Sequence, residues 1–406
     1  MKNIIVGQSG GPTAVINASV AGVYKEAKEI GIENVYGMVH GIEGVLNEDI
    51  INLDDYLSNN DNLELLKRTP AAFLGSCRYK LPEYLGNEEV YEKIFTVLEK
   101  YAIDAFFYIG GNDSMDTIKM LSDYAKEHNK DIKFVGIPKT IDNDLPITDH
   151  CPGYGSSSKY IATSIKEIIR DNASFGDSRK TVCIVEIMGR HAGWLTAAAS
   201  LVKGNDSEGV DAIYIPEFDF DLNEFLERVK NLTAKKASIV IAVSEGIKTS
   251  DGKFVCELNA SDKKVDAFGH KQLSGCAQTL ADIVAKETGL KTRAVELSTL
   301  QRAASHSSSL TDVLEAENVG IEGVKAANNG ETGVMVVMHR DDNPYNITYD
   351  TFDIHNIANV EKKIPTEWYD NDNKVMKEEF ISYARPLIQG ELTPIYENGL
   401  PKHLVR

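Results

Sequence analysis

Two short runs in this chain have the residue types needed to move a phosphoryl group. Gly110-Gly111-Asn112-Asp113-Ser114 follows the apolar stretch Ala105 to Ile109, and Pro138-Lys139-Thr140-Ile141-Asp142-Asn143-Asp144 follows Phe134 to Ile137. A strand that empties into paired glycines and then a helix cradles phosphate. Glycine lets the backbone approach an anion, and the helix N-terminus offers free N–H groups. A strand that empties into a lysine and three acidic or amide groups suits phosphoryl transfer. A carboxylate aimed at a hydroxyl takes its proton, and a lysine neutralises charge on the group in flight. Alternation at positions 140, 142 and 144 predicts an extended segment with three polar groups on one side. The competing readings are an Asp/Ser helix cap for the first run and a solvated acidic turn for the second.

Other loops fit the same chemistry less uniquely. Gly7-Gln8-Ser9-Gly10-Gly11-Pro12-Thr13 reads as a second phosphate cradle or as a tight strand-to-helix turn. It is not a Walker A loop, because no Gly-Lys-Ser/Thr follows. In Met188-Gly189-Arg190-His191-Ala192-Gly193-Trp194, Gly189 permits close approach and Arg190 can hold a sugar or phosphate oxygen bidentately. His191 reads as structural and Trp194 as core. Glu245, in Ser244-Glu245-Gly246, either accepts hydrogen bonds from sugar hydroxyls or caps a helix. Arg293, Arg302 and Arg78 either grip phosphate or are surface charge.

These residues need a frame to bring them together. Apolar, β-branched runs recur at Ile4 to Val6, 105–109, 134–137, 182–187, 213–215, 239–243 and 334–338, with helical spacing between them at 15–30, 90–101, 116–128, 157–172, 222–232 and 273–288. Strands alternating with helices predict an α/β fold with mainly parallel sheets covered on both faces. In such sheets ligands bind beyond the carboxyl ends of the strands, which is where the unusual residues fall. With 406 residues the chain can bury a large core in two domains. A Gly/Pro/Ser-rich stretch at 151–155 and Asn328-Asn329-Gly330 mark boundaries, and the Asn-, Asp- and Lys-rich stretch from Asp341 reads as a surface appendage. The net charge of −18 argues against a general nucleic-acid or anionic-membrane binder. Five cysteines without CxxC spacing read as reduced thiols with no zinc site, and no apolar run approaches a membrane span. Cytoplasm is the expected location.

Taken together, the motifs from Ile4 to Arg302 resemble the phosphofructokinase family. The resemblance implies two similar three-layer α/β domains with the active site in the cleft between them. They would be residues 1–150 for pyrophosphate and Mg2+, completed by part of 303–340, residues 151–302 for fructose 6-phosphate, and residues 341–406 as an appendage packed on both. It implies magnesium-dependent phosphoryl transfer to the 1-hydroxyl of fructose 6-phosphate, a step of glycolysis and gluconeogenesis. Asp142 matches the general base, and Thr140 and Asp144 flank it near substrate and magnesium. Met188, Gly189 and Arg190 match the sugar-phosphate loop, and Glu245 the carboxylate on the sugar hydroxyls. Arg293 and Arg302 match 6-phosphate ligands, the former often supplied across a subunit interface, which implies a homodimer or homotetramer. Arg78 matches the arginine on the transferring group, and Gly11 and Gly111 lie in the donor cradle.

The resemblance also bears on the donor. ATP-dependent members usually have glycine where Asp113 stands, and many have glycine where Lys139 stands. An aspartate there repels the α-phosphate of ATP, so both residues resemble the pyrophosphate-dependent branch. Three positions depart from the common pattern. Asn112 replaces a magnesium-binding aspartate, which predicts a weak or water-mediated metal contact. Thr299 stands where relatives often have His or Tyr, and Thr181, beside Arg179 and Lys180, where ATP-dependent members have an arginine. The rival readings are an ATP-dependent 6-phosphofructokinase, opposed by Asp113, and a catalytically silent sugar-phosphate-binding regulatory subunit, opposed by Asp142, Asp144, Lys139 and Arg190.

Overall fold

The computed structural model describes residues 1–176, 180–258 and 275–406. Eleven strands build its two larger sheets. In chain order they are β1 (Asn3–Gln8), β2 (Asn34–Met38), β3 (Ile50–Asn52), β4 (Ala105–Gly110), β5 (Lys133–Pro138), β6 (Thr181–Ile187), β7 (Ala212–Tyr214), β8 (Ser238–Ser244), β9 (Lys291–Glu296), β10 (Val334–Asp342) and β11 (Tyr345–Asp353). The chain divides into one unit of residues 1–156, 302–361 and 389–406, and a second of residues 157–301 and 362–388.

The first unit holds a seven-stranded sheet ordered β11-β10-β5-β4-β1-β2-β3. Its centre is parallel, and only the β2–β3 and β10–β11 pairs at its two ends are antiparallel. Side chains along β4 alternate between two cores. Phe106 and Tyr108 join one with Met115, Ile118 and Leu121 of helix Asn112–Glu127. Ala105, Phe107 and Ile109 join the other with Val20 and Val23 of helix Ile16–Glu29 and Val319 of helix Leu310–Asn328. A strand whose odd and even residues are both buried must be covered on both faces, and that makes three layers. Each buried Phe, Ile, Leu, Met or Val side chain among these contributes about 1.5–3 kcal/mol.

The second unit holds a four-stranded, all-parallel sheet ordered β7-β8-β6-β9. Val182, Ile184, Ile239, Ile241 and Val243 pack with Phe225 and Val229 of helix Leu222–Lys235 and Leu280 and Val284 of helix Cys276–Thr288. Residues 273–274 of the expected helix lie outside the described residues. Asp221 caps helix Leu222–Lys235 by accepting from the N–H groups of Asn223 at 2.8 Å and Glu224 at 3.1 Å.

The stretch 341–406, expected as one appendage, is shared out instead. β10 runs unbroken through Asp342, and β11 returns along it in the first sheet. Residues 362–388 belong to the second unit, where Trp368, Phe380 and Tyr383 surround Trp194 and Tyr369 Oη donates to Ile213 O. Residues 389–406 return to the first unit, where Leu404 N donates to Thr69 Oγ1 at 2.9 Å. Aromatic residues scattered among polar ones anchor this stretch, and no periodicity announces them. All five cysteines are buried and free, and no described helix is long and apolar enough to cross a membrane.

Candidate active site

In the first unit, β1, β4 and β5 are parallel neighbours, so their carboxyl ends place three loops side by side. Ser9 N donates to Ile109 O and Lys139 N to Gly110 O, at 2.9 and 3.0 Å. At Gly110 an added Cβ would lie 1.9 Å from Ser114 Oγ, so only glycine lets the first turn of helix Asn112–Glu127 fold back on the strand. A fourth segment is sewn on: Gly10 N donates to Cys77 O at 3.1 Å, and Ser76 Oγ to Gly10 O at 2.5 Å. That brings the exposed Arg78 to the edge of the cradle. His40, with a left-handed backbone (φ 63°), donates its N–H to Leu74 O at 2.9 Å and steadies the same segment. Sequence reasoning did not single it out.

Lys139 lies at the junction of these loops, 3% exposed, with Nζ donating to Gly11 O at 2.7 Å. Burial pushes its pKa down to about 8 against the pull of Asp142 and Asp144, and Arg302 pushes the same way as burial. Arg302 is close because a Cβ at Gly11 would be 3.2 Å from its Nη1. The structure therefore places Arg302 with the donor loops of the first unit.

The acidic segment is not extended, which corrects the expectation from alternation. Thr140 Oγ1 accepts from Asp142 N at 3.1 Å, and Asn143 takes a left-handed conformation (φ 55°) while its Oδ1 accepts from Cys151 N at 3.0 Å. Threonine and asparagine side chains that bond nearby backbone favour such turns. Ile141, Asn143 and Leu145 are buried, whereas Asp142 and Asp144 are half-buried and open toward solvent. Thr140 is buried and its N–H donates to Pro152 O. The far end of this loop is fixed by His150, 1% exposed, whose ring nitrogens each lie 2.7 Å from a carboxylate, Asp149 and Glu315. Burial pushes the imidazole pKa down, but the two carboxylates overcome it and hold it up at about 9.

Asn112 and Asp113 open helix Asn112–Glu127, and Asp113 is exposed. Asn112 Nδ2 donates to Val360 O at 2.8 Å, and its Oδ1 is buried with no hydrogen-bond partner. A buried, unsatisfied oxygen fits a divalent cation or a donor on a ligand. Among the described residues no cluster of three or more His, Cys, Asp or Glu is arranged to hold a metal.

In the second unit, Met188-Gly189-Arg190 leaves the carboxyl end of β6 beside Glu245 at the end of β8. Gly189 has φ 141°, and a Cβ there would meet Ala192 O at 2.6 Å. Gly189 N faces Glu245 Oε1 at 3.4 Å, and Ser244 Oγ donates to Gly189 O. Gln301, 2% exposed, accepts from Met188 N at 3.2 Å and donates to Ser298 O at 3.0 Å, which ties the exposed Thr299 turn to the same loop. Nothing in the sequence marked Gln301 or Ser244 for this task. Glu217 accepts from Gly193 N at 2.9 Å, and burial raises its carboxyl pKa. Trp194 is core, as expected.

Arg293 does not join this loop within one chain. It pairs in register with Cys183, four residues before the end of β6, which is about 13 Å along the strand. There its Nη1 bonds Asp171 at 3.1 Å, and its guanidinium lies 4.9 Å from the Phe175 ring centre. Thr181, at the first position of β6, is farther still, and Arg179 lies outside the described residues.

The profile of the family described as "Phosphofructokinase" matches residues 3–327. The chain belongs to the phosphofructokinase family. A relative from Methylococcus capsulatus, named pyrophosphate–fructose 6-phosphate 1-phosphotransferase, is 40% identical over 406 residues, covering 99% of this chain and 95% of its own. Two crystal structures of pyrophosphate-dependent phosphofructokinases superpose closely. The one from Nitrosospira multiformis has a TM-score of 0.89 at 37% identity and covers 99% of this chain and 95% of its own. The one from Marinobacter aquaeolei has a TM-score of 0.88 at 36% identity and covers 100% and 96%. The α/β fold with mainly parallel sheets is thus the phosphofructokinase fold.

Proposed function

We propose that this chain catalyses reversible transfer of a phosphoryl group from pyrophosphate to the 1-hydroxyl of fructose 6-phosphate, giving phosphate and fructose 1,6-bisphosphate. One observation carries the reading. A buried lysine ammonium sits between two glycine loops beside Asp142 and Asp144, and an aspartate rather than a glycine occupies the second position of the helix that follows. In this reading Asp142 takes the proton from the sugar hydroxyl as it attacks in line. Lys139, Arg78 and the amides of Gly11 and Gly111 offset charge on the transferring group. Asn112 and Asp144 would hold magnesium, which supplies charge neutralisation on the phosphates when bound. Thr140, Asp144, Met188, Gly189, Arg190, Glu245, Thr299 and Arg302 bind the sugar phosphate. Arg302, beside Gly11 and Lys139, also reaches toward the donor. Arg293 serves the site of a second copy, in keeping with a homodimer or homotetramer. The reaction belongs in the cytoplasm, where five free cysteines stay reduced.

The deciding experiment is phosphoryl transfer to fructose 6-phosphate with magnesium, comparing pyrophosphate and ATP at equal concentration. Activity with pyrophosphate alone is expected. Activity with ATP alone would overturn the donor assignment, and activity with neither would favour a sugar-phosphate-binding regulatory subunit.

Lys139 adds a pH signature. Its ammonium is charged below about 8 and loses its proton as pH rises through that value. The kcat/KM for pyrophosphate, which reports the free enzyme, is expected to fall toward tenfold per pH unit above that point. Lys139→Arg keeps its charge throughout, so the inflection should vanish in that variant. The same inflection in both proteins would overturn the assignment.

A further inference from the structure

The carbonyl of Val360 explains why position 112 carries an amide. A carbonyl oxygen only accepts, so at 2.8 Å it takes the Nδ2 end of Asn112 and turns Oδ1 the other way. A carboxylate at this position would face the carbonyl with oxygen against oxygen. The contact is one of three along a single face of helix Asn112–Glu127. Asn359 Nδ2 donates to Asp116 Oδ1 at 2.8 Å, and His355 Nε2 lies 3.0 Å from Asp123 Oδ1, with its Nδ1 2.7 Å from Asp353. Positions 112, 116 and 123 share that face, since they are spaced by four and seven residues. Residues 355, 359 and 360 meet them in reverse order, so the segment runs antiparallel to the helix. Ile354 and Ile357, both 0% exposed, pin it to the core. Asn359 bends it through a left-handed conformation (φ 63°), which asparagine tolerates.

We infer that residues 354–361 form a positioning strap that locks the Asn112 amide, so that Oδ1 stands as a fixed neutral ligand for the metal–diphosphate donor. Asn359 and His355 are the positioning residues. The inference rests on the donor reading above, and it gives a reason for the replacement of aspartate by asparagine.

The test is calorimetric titration of the full chain with methylenediphosphonate, a diphosphate that cannot be cleaved, in magnesium. Asn359→Ala is expected to weaken that binding by roughly tenfold, the usual scale for supporting residues around a metal ligand. Affinity for fructose 6-phosphate should stay as in the unaltered chain. His355→Ala, farther along the strap, is expected to act in the same direction with a smaller loss, and serves should Asn359→Ala fold poorly. In an Asn112→Ala background the effect of either change should disappear, because the strap acts through that amide. Wild-type affinity in both strap variants, or an undiminished loss in the Asn112→Ala background, would overturn the strap. If the unaltered chain does not bind magnesium methylenediphosphonate, the donor reading itself fails.

Discussion

Asp142→Ala is expected to lower kcat by roughly 10²–10⁴-fold, the range that a positioned general base contributes, while fructose 6-phosphate still binds. The local structure favours a clean result. The turn around Asp142 is held by Thr140 Oγ1, by Asn143 Oδ1 on Cys151 N and by the buried side chains of Ile141 and Leu145, and none of these uses the Asp142 carboxylate. Steady-state kinetics with pyrophosphate and fructose 6-phosphate, together with calorimetric binding of the sugar phosphate, separate the two effects. Near-normal turnover in the variant would rule out Asp142 as the base. Loss of sugar-phosphate binding in parallel with turnover would mean that the residue holds substrate instead.

Asp113→Gly should open the donor site to nucleotide. Two unit charges ~4 Å apart at an effective dielectric of ~20 interact by about 4 kcal/mol, and at about 1.4 kcal/mol per factor of ten that is up to roughly a thousandfold in affinity. Asp113 is exposed in the first turn of helix Asn112–Glu127, so its removal leaves the core untouched. The helix N-terminus also loses a favourable negative charge there, which costs about 0.3–1 kcal/mol of stability. ATP binding and ATP-driven turnover in the variant measure the gain. Unchanged ATP affinity would show that charge and bulk at position 113 do not select the donor. The same change should leave catalysis with pyrophosphate dependent on Lys139.

Strands were legible where both faces are buried. β1, β4, β5, β6, β8 and the first half of β10 are nearly continuous apolar runs, and each appears where the pattern placed it. β3, β9 and β11 were not legible. They lie at sheet edges: β3 is three residues long, and β9 (Lys-Thr-Arg-Ala-Val-Glu) and β11 carry the polar and charged residues that discourage further pairing at an edge. Periodicity cannot tell such a strand from a loop. The internal β2 (Asn-Val-Tyr-Gly-Met) was missed because Gly37 interrupts its short apolar run.

By itself the sequence determined the α/β class and the loops that carry the chemistry. Lys139, Asp142 and Asp144 lie within six residues of one another, so the chain's own connectivity keeps them together at the end of one strand. Only the tertiary structure decided which distant residues reach those loops. Asn112 meets Val360 across 248 positions, and Met188 meets Gln301 across 113. Arg302 falls beside Gly11 and Lys139, while Arg293, nine residues earlier, lies on an edge strand away from the Met188 loop. The physical reason is that strand order and register, set by burial over the whole sheet, fix these encounters. Side-chain type limits what each residue can do, but long-range pairing decides where it stands.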